Sequence, residues 1–443
     1  MLINRDFRRL WLGQALSLVG DYAFDTAVLL WVSTEVLRGK AYAPTVTAVL
    51  LMTVSVATIA VAPVAGTLVD RWEKKRTMLR SELFRFAVVG AVAAAAFLPA
   101  GSVPAVALLL CIGVAVALTS AAAQFFRSSR FVVISDVVPA EQHGRAFSYT
   151  QSASALASIA GPAVAAPLVM TAGVRWVLAF DALSFLVSYA AIRGVTHRAS
   201  GPGPATEAKP RGRAGLWCEF RASARLLFGN RVLRGVLVAA VLMAAGTGAL
   251  NALEVYFVPE NLHASPSWFG TLEALFGAGT IAGALAGGRL GDRAGHTRVF
   301  QGSLLLFGLL LIVYSRATAI LVAAVVSVLF GLALGALNAV ASPLIVQQAP
   351  RDHLGRMMSV FDPVAQLASL AALGLSGVLA GTVLDGFHGR WAGLEFGRLD
   401  TILLTGGVCT VLTGLWALVG LRPAGPASAV APTPPPARAN ARP

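Results

Sequence analysis

The chain has 443 residues, 56% of them hydrophobic and 13% charged, with 35 Lys and Arg against 21 Asp and Glu for a net charge of +14. Soluble globular domains are roughly 25% charged, so a water-soluble enzyme or nucleic-acid-binding domain is excluded as a description of most of the chain, and lipid is the expected solvent. Three cysteines, Cys111, Cys218 and Cys409, lie far apart without metal-ligand spacing and read as small core residues.

The N-terminal "NRDFRRL" precedes an apolar run from Leu10 to Leu37. That run is too long for a signal-peptide core and reads as a retained first span. A spanning helix takes about 20 mostly apolar residues. Twelve such segments are predicted near 10–37, 44–69, 77–98, 103–126, 146–170, 174–193, 232–258, 266–288, 299–315, 317–342, 355–382 and 400–421. Pro63, Pro162 and Pro167 fall inside them, which membrane helices tolerate.

With the N-terminus in the cytoplasm, the outer connections hold only Arg38, Lys40, Arg175, Arg316, Arg390 and Arg398. Every other Lys and Arg falls in an inner segment, with 70–85 counted among them. The positive charge is therefore a topology signal facing anionic lipid. It places both termini in the cytoplasm and the chain in the cytoplasmic (inner) membrane, and nucleic acid is not expected as a partner. Residues 194–230 ("GPGPATEAKPRGRAG") read as a flexible cytoplasmic linker between a bundle at 1–193 and a second at 231–422. The Pro/Ala-rich 423–443 reads as a disordered tail.

The two halves repeat. "GTLVDRWEKK" (66–75) follows the second span and "GRLGDRAGHT" (288–297) the eighth; "PAEQHGRAFSYTQ" (139–151) leads into the fifth and "PRDHLGRMMSVFD" (350–362) into the eleventh. "VGDYAFD" in span one matches "AGTGALN" in span seven in depth, placing Asn251 where Asp25 stands. Correspondences in order, roughly 210 to 226 residues apart, make two homologous six-helix halves.

Gly66-x-x-x-Asp70-Arg71 and Gly288-x-x-x-Asp292-Arg293-x-Gly295 resemble the loop signature of the major facilitator superfamily. "WLGQALSLVGDYAFDTAVLLWV" (11–32), "DVVPAEQHGRAFS" (136–148) and "DALSFLVSYA" (181–190) resemble its macrolide-efflux branch, the type-three drug:proton antiporters. The resemblance implies an all-α membrane protein of twelve helices in two pseudo-symmetric six-helix bundles around a midplane cavity. It also implies that the loops are cytoplasmic latches. Gly66 and Gly288 would let helix ends approach, and Asp70 and Asp292 would cap a neighbouring helix and pair with arginine, with Arg71 and Arg293 alongside. A role in topology alone is the alternative, and is favoured for Lys74, Lys75 and Arg76. The first copy departs from the signature at Trp72-Glu73. Gly161-Pro162 in "ASIAGPAVAAPL" resembles the antiporter motif of exporters, with Ala165-Ala166 where two glycines are expected. Its physical content is a kink and a smooth packing surface.

A carboxyl near the bilayer centre costs about 2.5–3.5 kcal/mol, so each demands a reason. At 1.5 Å per residue, Asp21 and Asp25 lie about 18 and 24 Å beyond Arg9, one helical turn apart on one face. Glu254 and Glu273 lie in the outer half of the other repeat. A carboxyl in an apolar cavity can exchange a proton for a cationic substrate. Asp25 and Glu254 are the leading carriers, with Asp21 and Glu273 next. Alternatives remain: a structural hydrogen-bonding role for Asp21 behind Gly20, and solvation at the outer surface for Glu254 and Glu273. Asp181 and Asp362 read as helix-end caps. Gln124, Gln151 and Asn251 are candidate cavity-lining residues, Phe24 and Phe276 candidate walls, and Trp31 and Tyr256 candidates for the interfacial belt. Helix 4 carries no arginine before Arg127, and deep basic residues are few.

No catalytic constellation, metal spacing, cofactor motif or Walker A loop is present in the sequence, so the expected energy source is the proton gradient. The expected function is proton-coupled efflux of an amphipathic small molecule (a drug, a macrolide-like antibiotic or another natural product) by alternating access. Its expected partners are substrate, protons and membrane lipid, with the chain working as a monomer. A siderophore exporter, an uptake symporter or facilitator, and a non-transporting scaffold or sensor are the rival readings.

Overall fold

The computed structural model describes residues 3–99, 102–196, 231–348, 354–387, 389–391 and 394–420. Most of the linker and all of the expected tail lie outside the described residues. Twelve long helices occur among them: α1 (Arg5–Trp31), α2 (Ala43–Arg71), α3 (Lys74–Ala96), α4 (Ala105–Val137), α5 (His143–Ala172), α6 (Val174–Arg193), α7 (Arg231–Glu260), α8 (Trp268–Ala294), α9 (His296–Ser315), α10 (Ile320–Gln348), α11 (Leu354–Val378) and α12 (Arg398–Gly420). One departure from all-α structure is a short ribbon between α11 and α12. There β1 (Gly389–Trp391) pairs antiparallel with β2 (Leu394–Phe396), Arg390 opposite Glu395.

Local chemistry sets the helix limits. Asn4 caps α1, its side-chain oxygen accepting from the Phe7 amide at 2.7 Å. Pro44 stands in the first turn of α2, where no amide is missed. Gly295 separates α8 from α9 at φ +91°, a conformation that disfavours any side chain. The first repeat has Glu73 at the matching place, at φ −68°. The departure from the loop signature is thus a different backbone turn.

Eleven of these helices are long and apolar enough to cross a membrane. The exception is α3, whose first half carries Lys74, Lys75, Arg76, Arg80, Glu82 and Arg85. Outer faces are apolar, as in the exposed Leu110 and Val114 of α4 and Leu321 and Val325 of α10. Cys111 and Cys409 are exposed on these faces, not in the core as expected, because one small thiol leaves the choice of face to its neighbours.

The packing repeats after six helices. In the first bundle α1 lies against α5 and α6, α3 against α4 and α6, and α2 against α4. In the second, α7 lies against α11 and α12, α9 against α10 and α12, and α8 against α10. The bundles join through α2 on α11 and α5 on α8, which exchange under the same shift. The end of the molecule carrying Asn4, Arg71–Arg76 and Arg289–Arg298 is called the basic end below, and the opposite one the far end.

Candidate functional site

A cavity of about 410 Å³ penetrates the first bundle from its basic half. Asp21 and Asp25 of α1 line it, with Arg85 of α3, Gln124, Arg127 and Arg130 of α4, Gln151 of α5 and Asp181 of α6. Asp25 is exposed to this space, as are Arg127 and Gln151. Gln124 is buried in the wall, its amide 3.3 Å from Thr58 Oγ1.

An ionic cluster is built into this wall, with Glu82 behind it. The Arg85 guanidinium donates to Asp21 Oδ1 in a close ion pair and lies 4.2 Å from the centre of the Phe185 ring. Glu82, one turn before Arg85, is fully buried, and its Oε1 accepts from Ser188 Oγ at 2.8 Å. Asp181 is buried in the interior of α6, beside Ser184 and Gly20. A Cβ at Gly20 would stand 2.5 Å from Asp181 Oδ1, so this glycine makes room for the acid. Arg130 reaches Gln14 Oε1 at 3.4 Å.

Two expectations are corrected. The charges of 70–85, counted with the inner segments, do not all face the inner side, since α3 begins at Lys74, three residues before the expected span, and buries Glu82 and Arg85 in the bundle. Asp181 is not a helix-end cap but a mid-helix acid. Hydropathy cannot separate a solvated charge from one whose partner comes from another helix. Asp362 lies in α11, and its side chain is outside the described residues.

A second cavity of about 280 Å³ opens where the bundles meet. Tyr22, Phe24 and Asp25 reach it from α1, Pro162 from α5, Asn251 from α7, Phe269 and Glu273 from α8 and Ser369 from α11. Asp25, Phe24, Asn251 and Glu273, chosen from opposite halves of the sequence, thus share one space. Glu254 lines neither cavity. It is 5% exposed, and the Tyr314 hydroxyl donates to its Oε1 at 3.1 Å. Phe276, expected on a cavity wall, is half-buried and packs against the main hydrophobic core, which runs through both bundles.

The bundles touch on the far side of this space. Gly161 presses on α1, where a Cβ would sit 3.0 Å from the Ala23 nitrogen, and the neighbouring Pro162 carbonyl occupies the space a Cβ on Gly270 of α8 would need. Thr45 Oγ1 donates to the Gly377 carbonyl at 2.9 Å. The Thr47 and Tyr256 hydroxyls share a buried 2.5 Å hydrogen bond between α2 and α7. Trp31 and Tyr256, expected in the interfacial belt, are each 6% exposed, because the polar end of Tyr256 finds a partner inside.

At the basic end, Gly66 and Asp70 fall within α2, but the surroundings of Gly66 and the side chain of Asp70 lie outside what is described. Arg71 is exposed and borders a groove with Trp72, Arg76, Arg80 and Phe125. Gly288, expected to admit a close helix, has open space around it. The close approach belongs to its neighbour Gly287, where a Cβ would stand 2.9 Å from that of Ala336 on α10. The shared signature fixes the loop, while the helix face toward α10 chooses the adjacent glycine. Asp292 is 80% exposed, with His296 Nε2 at 4.0 Å, and Arg293 is exposed too.

Similarity to known proteins agrees with this architecture. The chain is 23% identical over 391 residues to macrolide efflux protein A of Streptococcus pyogenes, covering 84% of this chain and 89% of that one. It is 24% identical over 311 residues to macrolide efflux protein A of Enterococcus faecalis, covering 69% and 92%. A bacterial homologue of the iron transporter ferroportin, solved in an inward-facing state, superposes with a TM-score of 0.71 at 15% identity, over 93% of this chain and 98% of that one. That likeness speaks for the fold alone. The family model described as transmembrane secretion effector matches residues 2–397, and the chain belongs to that family, as a membrane transporter of the major facilitator superfamily.

Proposed function

We propose that the protein is a proton-coupled exporter of a cationic amphipathic small molecule in the bacterial inner membrane, with both termini in the cytoplasm. The observation that carries this reading is the position of Asp25, which lines both the cavity entered from the basic half and the cavity between the bundles. The basic end is then cytoplasmic, and the conformation is inward-facing, closed at the far end.

A substrate from the cytoplasm or inner leaflet enters the first cavity. Its ammonium group seats on Asp25, with Tyr22, Phe24 and Phe269 against its apolar body. A proton held at Asp25 leaves as the cation arrives, so the two compete for one carboxylate. Rocking of the bundles then exposes the site outside, where a proton replaces the substrate. Glu273 and Asn251 meet the cargo from the second bundle, and Glu254 with Tyr314 supports that wall. In the outward-facing state the exposed Asp292 and Arg293 of the second repeat, with Asp70 and Arg71 of the first, act as cytoplasmic latches. The macrolide efflux relatives support export, and macrolides bearing an amine fit the required chemistry. Arg127 and Arg130 on the first cavity favour a second reading, export of an anionic siderophore-like chelate.

The test uses purified protein in liposomes with an imposed pH gradient. Proton movement is followed as erythromycin, tetraphenylphosphonium and anionic chelates are added. Proton flux driven by the cations and lost in Asp25→Asn supports antiport. Flux driven by the anionic chelates alone selects the second reading, and substrate movement without protons makes the chain a facilitator.

A further inference from the structure

Two buried polar groups next to the substrate cavity have no role in the scheme above. Glu82 lies on α3 with none of its surface exposed. Its Oε1 is held by Ser188, while its Oε2 has no hydrogen-bond partner. Arg85 lies one turn on along the same face, and its Nε is likewise without a partner. An unpartnered buried acceptor and an unpartnered buried donor each carry a desolvation cost. Here they stand three residues apart on one helix and are complementary.

Charge makes the arrangement sharper. The groups facing Glu82 are Arg85 on its own helix, Asp21 on α1, Arg130 on α4 and, on α6, Ser188 with Asp181 beyond Arg85. Arg85 spends its charge on Asp21, and Arg130 is turned to Gln14. An ionised Glu82 would then be a buried charge without a paired counter-ion, which is strongly unfavourable. A proton on Glu82 removes that charge. Arg85 therefore has two carboxylates within reach of one guanidinium, and can neutralise one while the other is neutralised some other way.

We propose that Glu82 is a proton-binding carboxyl coupled to the cargo site, and that Arg85 passes between Asp21 and Glu82 as the cavity loads. The proposal rests on the antiport reading and extends it by a second acid. In the inward-facing state Asp21 is paired with Arg85 and Glu82 holds a proton. A cation entering the cavity takes over the Asp21 carboxylate, and Arg85 is released to Glu82. The Glu82 O–H bond breaks, its proton passes by way of the Asp21 side to cavity water, and the new carboxylate is neutralised by Arg85. With the proton that the same cation displaces from Asp25, two protons leave as one monovalent cation enters, so the proposed exchange moves one net charge per cycle.

The test measures proton release directly. Purified protein in weakly buffered detergent solution receives tetraphenylphosphonium or erythromycin, and a pH-indicator dye counts protons released on binding. Wild-type protein is expected to release more protons than Glu82→Gln at equal occupancy, and the deficit is expected to persist when Asp25 is also Asn. Infrared difference spectra supply a readout that transport does not enter. A carboxylic-acid C=O band lost on cation binding is expected in wild type, absent in Glu82→Gln and shifted in frequency in Ser188→Ala, which keeps the carboxyl and removes its donor. If Glu82→Gln folds poorly, the Ser188→Ala shift still decides. Unchanged proton release in Glu82→Gln, or a band that Ser188→Ala does not move, overturns the proposal while leaving antiport through Asp25 standing. Should cations bind and never move protons in liposomes, the antiport reading fails instead, and the band still reports whether Glu82 is an acid in this cluster.

Discussion

The two bundles share one packing plan and spend it differently. In the first, α1, α3 and α6 bring Asp21, Glu82, Arg85 and Asp181 into a cluster of opposite charges beside an open cavity. In the second, the polar centre is Glu254 under Tyr314, set among Phe257, Phe307 and Phe330. α8 and α10 meet closely, with Gly279, Gly283 and Gly287 against Val328, Leu332 and Ala336, and Gly331 and Gly335 against Phe276 and Thr280. One half holds a cluster of charged groups beside a cavity, and the other brings two helices into close contact through glycines. A duplicated fold thus supplies two bundles of one packing plan, and the proposed charge switch sits in the first of them.

The largest expected effect comes from removing the counter-charge. Arg85→Met leaves the buried Glu82 and Asp181 and the half-buried Asp21 without their cation and is expected to cost about 3–5 kcal/mol, read by thermal unfolding in detergent. A loss as small as that of Tyr314→Phe in the other bundle, about 0.5–1.5 kcal/mol, would erase the contrast. Next is Asp25→Asn. Losing a charge-assisted contact of about 1.5–3 kcal/mol weakens tetraphenylphosphonium binding about 10- to 150-fold, while Glu254→Gln, away from both cavities, is expected to change that affinity little. Equilibrium binding separates the two.

Gly270→Ala puts a methyl group into the Pro162 carbonyl. Overpacking of about 1–3 kcal/mol shifts the population away from far-end closure about 5- to 150-fold. Spin labels at Tyr42 and Thr382, in a background without the native cysteines, are expected to move apart. The smallest effect belongs to Thr47→Val, which removes one buried hydrogen bond between α2 and α7 and costs about 1 kcal/mol. It is expected to shift the same distance distribution slightly, without touching cation affinity.

Much of this architecture is legible in the sequence. Lipid demands long apolar runs and sorts most Lys and Arg to one side, so the helices and their order are legible from composition, while α3 with its charged first half needs the repeat to be counted. Asp25, Asn251 and Glu273 are legible too, because a polar group in an apolar run advertises itself. Glu82 and Arg85 are not, since they stand beside Arg76 and Arg80 and share their composition while α6 and α1 take them inside. The signal that was there is periodic: Glu82, Arg85 and Val89 fall on one face of α3, away from the exposed Arg76, Arg80 and Leu83. Gly287 against Gly288, and the burial of Tyr256, are decided by which face meets a neighbour, and no single-helix pattern contains that.

The closure at the far end has an electrical consequence. The contacts that make it, Thr45 with Gly377, Thr47 with Tyr256 and Pro162 with Gly270, are all formally neutral. Parting them moves no unit charge through the membrane field, where one charge across 100 mV is worth about 2.3 kcal/mol. The gate itself is therefore blind to voltage. In the proposed cycle, any voltage dependence of turnover then reports the charge carried by the cargo and by the carboxyls around it, Asp25 and Glu82 among them.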